Sequence, residues 1–87
     1  MQIVYTAGFG KQHKKLPARI QDLAEEKEKV FRKDPFDSQL NTHKLHGKLV
    51  GLCSFSINHK YRVVFEFFKD RKLVCFHSIS DHGVYKS

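Results

Sequence analysis

The sequence predicts an α+β fold with element order β-α-α-β-β-β, an antiparallel sheet with a helical hairpin packed on one face. Three observations predict it. A β-rich stretch, QIVYT (2–6), precedes two helical segments that break at Leu16-Pro17. Three apolar stretches then fill 52–79 with connections of only a few residues, the mark of an antiparallel meander. The length of 87 residues suits one domain, 1–87, in which eight Phe and three Tyr supply much of a modest core.

After the first strand, AGFGKQHKK (7–15) makes a short helix with Phe9 as its only large apolar residue. Pro17 suits the first turn of a second helix, where its missing N–H is not needed. Leu16, Ile20, Leu23, Lys27, Val30 and Phe31 follow a helical stripe. Lys27 interrupts that stripe, and its aliphatic stem can lie along the core edge. Pro35, in KDPFD, disfavours helix at Asp34 and stops the segment. SQLNTHKLHGKLVG (38–51) shows no clean period, and long irregular segments in compact domains are often functional.

In LCSFSIN (52–58), Cys53, Phe55 and Ile57 share one face. In HKYRVVFEFF (59–68), Tyr61, Val63, Phe65 and Phe67 share a core face, with Arg62, Val64, Glu66 and Phe68 opposite. KDRK turns the chain into the last strand, LVCFHSI, and SDHGVYKS leaves the sheet. The helices must cover one sheet face. The other is expected to carry Ser54, Ser56, Asn58, Arg62 and Glu66. Cys53 and Cys75 lie in apolar runs without CxxC spacing and read as small core residues, not as a disulfide or zinc ligands.

The net charge is +7. Residues 1–40 hold eight Lys/Arg against six Asp/Glu, whereas 41–87 hold eight against three and five of the six histidines. Such a field attracts polyanions without choosing among RNA, DNA and an acidic protein. No apolar run is long enough for a membrane span, and the start does not read as a signal peptide. The expected setting is soluble and cytoplasmic, with no membrane partner.

Five stretches in this order resemble the RelE/ParE toxin superfamily of type II toxin–antitoxin systems: FGKQHKKLPARI, DPF, HKLHGKLVG, YRVVFEF and SISDHGVYK. The loop and tail are most similar to the YoeB and YafQ branches. The resemblance covers nearly the whole chain and implies a microbial RNase-like fold. It also implies a ribosome-dependent messenger RNA endonuclease that enters the A site, with no metal or other cofactor and with a cognate antitoxin as partner. In that chemistry the ribose 2′-OH attacks the adjacent phosphate, giving a 2′,3′-cyclic phosphate and a free 5′-OH.

Matched residue by residue, the resemblance makes Arg62 the phosphate-stabilising strand arginine, as a guanidinium stays charged and can grip phosphate with two donors. His43 is the expected general base, since imidazole titrates near neutral pH, and His46 is its competitor. His82 is the expected acid or phosphate ligand, and Tyr85 the terminal aromatic that stacks on a base or donates a proton. Lys44, Lys48, His59 and Lys60 form an expected cationic rim for RNA, while His77 has no assigned role. RelE-type lysines on the second strand are replaced by Ser54 and Ser56, which favours a histidine-based site. A YafQ-type histidine near Ser56 and an acid near Lys60 are absent. A ParE-type inhibitor of DNA gyrase and a catalytically inactive antitoxin-binding relative are the alternatives.

Overall fold

Strand β1 (Gln2–Tyr5) runs into helix α1 (Ala7–Lys15) through Thr6, whose side-chain oxygen accepts the Phe9 N–H at 3.0 Å. This satisfies one of the amide donors that a helix start leaves without a partner. Leu16 is extended and closes α1 with its N–H on the His13 carbonyl. Helix α2 (Ala18–Lys33) follows Pro17 and ends at Asp34, an extended residue held by the proline after it. The described residues of this computed structural model are 1–81. The expected roles of His82 and Tyr85 therefore lie outside the described residues.

The segment after α2 has local order that no sequence period reveals. A 3-10 turn (Ser38–Leu40) is followed by a two-residue strand, β2 (His43–Lys44), and a second 3-10 turn (Gly47–Leu49). Gly47 and Gly51 have φ of 67° and 93°, which glycine adopts without steric cost. Strands β3 (Cys53–Ser56), β4 (Tyr61–Phe68) and β5 (Leu73–Asp81) form the expected meander.

The sheet order is β1-β5-β4-β3-β2. One feature departs from the expected antiparallel sheet: β1 pairs with β5 in parallel, so the sheet is mixed. The reason is connectivity. The long path through α1, α2 and the meander lets the last strand run alongside the first in the same direction.

Both helices cover one face. Phe31 of α2 is fully buried, with ring centroids 5.0 Å from Phe55, 4.9 Å from Phe65 and 5.4 Å from Phe76. Each such side chain contributes about 1.5–3 kcal/mol by burial, with more from edge-on ring contacts. The helical stripe is realised by Ile20, Ala24 and Phe31, with Leu16, Leu23 and Val30 packed at its margin. Arg71 lies over the rings of Phe36 and Phe67, at 4.8 and 5.2 Å from their centroids, and covers the core at the β4–β5 turn. No helix among the described residues is long and apolar enough to cross a membrane.

Candidate active site

The face of the sheet away from the helices is built by cross-strand register. Ser56 of β3 and Ser80 of β5 stand opposite Arg62 of β4, one on each side. The next row runs His43, Ser54, Val64 and Ser78 across four strands. Side chains directly opposite one another share a sheet face, so His43 and Arg62 belong to the same surface. Two strand spacings and two residues along separate them, about 12 Å at the backbone. Two long side chains can close that gap around one phosphate.

Arg62 is half-buried, with Nη1 shielded from solvent. The carboxylate of Glu66 goes elsewhere, to Nε2 of His77 at 3.2 Å. The His43 ring is set from below. Its Nδ1 lies 3.0 Å from the Asn41 carbonyl and its Nε2 3.5 Å from the Ser54 hydroxyl. A carbonyl only accepts, so the Asn41 contact requires a proton on Nδ1 and leaves the Nε2 lone pair as the basic position. Asn41 achieves this geometry with a left-handed backbone, φ 50°, which asparagine tolerates better than most residues.

The remaining predicted residues are spread around this surface. His46 precedes the 3-10 turn that carries Lys48, and both are exposed. Lys44 stands opposite Cys53, on the helix side of the sheet edge and away from His43. His59 and Lys60 are exposed in the β3–β4 turn, near the Arg62 end of β4. Asn58, expected on the open face, instead shapes this turn: its Oδ1 accepts the N–H groups of Lys60 and Tyr61. Asp81, the last described residue, stands opposite Tyr61.

Two features were not read from the sequence. Ser54 lies on the open face as expected, yet it is only 1% exposed. The second is a β-bulge in β5. Val64 pairs with Ser78 and Phe65 with Phe76, so His77 is the extra residue. Bulges re-aim side chains, and this one turns His77 toward Glu66. The bulge is tied down from α1: the Thr6 hydroxyl donates to the His77 carbonyl at 2.8 Å, and Gln12 Oε1 accepts the Ile79 N–H at 2.9 Å. The signal was present in the spacing of Val74, Phe76 and Ile79, where a step of three follows a step of two.

Burial pushes the thiols of Cys53 and Cys75 up, with Glu66 adding to the effect at Cys75. Both thus stay as thiols at neutral pH. A cleft of about 550 Å³ opens on the other side of the sheet, between α1 and α2, with Gly10 and Ala24 among its lining residues. Its floor is the aromatic core, and neither Arg62 nor His43 lines it. The candidate site on the open face is therefore marked by its side chains and not by this cleft.

No protein-family model matches the sequence, and no curated protein matches it. Solved structures do. A YoeB/ParE toxin from Agrobacterium tumefaciens superposes with a TM-score of 0.79 at 18% identity, covering 94% of this chain and 99% of that one. YafQ from E. coli gives a TM-score of 0.80 at 14% identity, with 99% and 98% covered. YafQ within the E. coli DinJ-YafQ toxin-antitoxin complex gives 0.74 at 18% identity, with 99% and 97% covered. Two helices on one face of a five-stranded mixed sheet, matched over nearly their full length, give this chain the fold of the RelE/ParE toxins, of the YoeB and YafQ type.

Proposed function

We propose that this chain is the toxin of a type II toxin–antitoxin pair and acts as a ribosome-dependent messenger RNA endonuclease. The observation that carries the reading is the shared surface of Arg62 and His43, with the His43 ring held through Nδ1 by the Asn41 carbonyl. The likeness to YoeB and YafQ toxins supports the same reading at the level of the fold.

In the proposed step, His43 Nε2 removes the proton of a ribose 2′-OH. The 2′-oxygen forms a bond to the adjacent phosphorus, and the bond from phosphorus to the 5′-oxygen breaks. Arg62 stabilises the extra negative charge on the phosphoryl oxygens, a contribution that in enzymes is often the largest single one. His82, two residues beyond Ser80, returns a proton to the leaving 5′-oxygen, and Tyr85 stacks on a base or assists that transfer. The products are a 2′,3′-cyclic phosphate and a 5′-OH, and the step as written needs no metal ion. His46, Lys48, His59 and Lys60 supply an outer cationic rim for RNA. A cognate antitoxin is the proposed partner; the net charge of +7 favours an acidic one.

The test is a cell-free translation reaction. The purified chain is expected to stop synthesis and leave 5′-OH ends at A-site codons. Undiminished cutting by Arg62→Ala refutes the assignment of Arg62. Loss of gyrase supercoiling with intact messenger RNA would instead support the ParE-type alternative.

A further inference from the structure

Below Arg62, the open face carries a group of residues that the cleavage chemistry does not use. Glu66 and His77 are bonded across the strands, and their side chains remain 34% and 36% exposed. Phe68, two residues beyond Glu66 and on the same face, is 40% exposed. A large aromatic ring left in water beside a half-exposed polar pair is the composition of a nucleobase site. Unstacked bases rest on aromatic faces and are read through hydrogen bonds to their edges.

We propose that Phe68, Glu66 and His77 form a base-binding subsite that selects a nucleobase with an exocyclic amino group, next to the scissile phosphate. The proposal rests on the endonuclease reading and adds its sequence preference. Glu66 is about 13 Å along the strand from Arg62. That spacing suits a neighbouring nucleotide. Phe68 lies about 7 Å from Glu66, so a base stacked on its ring brings its edge to the carboxylate.

The charge chooses the ligand. A carboxylate at this point repels phosphate and accepts from N–H groups. Adenine, cytosine and guanine offer an amino group, and Glu or Asp accepting from cytosine is a recurrent contact. Uracil offers only an imide N–H between two carbonyls, which the carboxylate repels. His77 holds one Glu66 oxygen, leaving the other for the base. The bulge that turns His77 to this face is itself secured by Thr6 and Gln12. Lys69 and Lys72, exposed in the turn after Phe68, can hold the flanking phosphates.

The experiment maps 5′-OH ends in translated messenger RNA for the wild-type chain, Glu66→Gln, Phe68→Ala and Phe68→Leu. The wild type is expected to disfavour uridine at one position fixed relative to the cut. Glu66→Gln, which can donate as well as accept, should weaken that discrimination about tenfold. Phe68→Ala should lower cutting on the order of tenfold through lost stacking. Phe68→Leu keeps an apolar side chain on the strand and should show the same loss while melting like the wild type. Wild-type preference and rate in all three variants overturn the subsite, as does wild-type cutting without base discrimination. A wild-type chain that leaves all RNA intact refutes the endonuclease reading and the subsite with it.

Discussion

Replacing Thr6 by Val removes one oxygen that performs two tasks. It accepts the Phe9 N–H at the start of α1, at 3.0 Å, and donates to the bulged His77 carbonyl at 2.8 Å. Val has nearly the same shape, so the change isolates the hydrogen bonding. Loss of a helix cap costs about 0.5–2 kcal/mol. A neutral hydrogen bond contributes about 0.5–1.5 kcal/mol, and more is lost when a buried partner is stranded. Together these predict about 2 kcal/mol. In a domain of this size that lowers the melting temperature by roughly 8–16 °C. Thr6→Ser keeps the oxygen and should stay within about 0.5 kcal/mol of the wild type. Urea and thermal unfolding of the three chains measure both. A Thr6→Val chain as stable as Thr6→Ser refutes the claim that Thr6 secures the bulge.

Three further outcomes are expected. Arg62→Lys keeps the charge but loses the forked donor geometry, so cutting in a translation reaction should fall about 10²-fold or more; a smaller loss argues that charge alone suffices. Phe31→Ala empties the meeting point of three core rings and should cost about 3–5 kcal/mol in urea unfolding. With both thiols pushed up by burial, alkylation of the native chain at neutral pH should be slower than that of the urea-unfolded chain and should accelerate toward alkaline pH. Mass spectrometry at several pH values reads this, and fast native labelling at neutral pH counters it.

The helices and the meander were legible because each is governed by a short period and a local stop. The spacing of Ile20, Leu23 and Phe31 marks the buried stripe, and Pro17 and Pro35 mark its ends. Alternation in 53–57 and 61–67 assigns Arg62 to the face away from the helices, and the register agrees. The direction of β1 was not legible, since pairing with β5 joins residues some seventy positions apart and depends on the path between them. Strand β2 is too short to have a period, and its position follows from the left-handed Asn41 and two glycine turns. At the site, the tie from His43 to Asn41 is a backbone contact that side-chain identity does not reveal. The bulge at His77 was within reach: Val74, Phe76 and Ile79 are all apolar, and strict alternation does not put positions three apart on one face.

The serines decide how the open face can work. Ser56 and Ser80 flank Arg62, while Ser54 and Ser78 flank Val64 in the next row. In its row the arginine thus has a small hydroxyl side chain on each side. They also leave Arg62 as the only lysine or arginine among the described residues of β3, β4 and β5 on that face. A site with several strand lysines can share the charge of a phosphoryl group among them, so the loss of one is partly covered by the rest. Here the neighbouring positions offer hydroxyls, which can donate hydrogen bonds but carry no charge. In the proposed step, electrostatic stabilisation then falls on one guanidinium, and proton transfer falls on the imidazoles of His43 and His82. It follows that Ser56→Lys should partly restore cutting to an Arg62→Ala chain. Recovery in that double variant, read against each single variant, measures how much of the role of Arg62 is charge and how much is geometry.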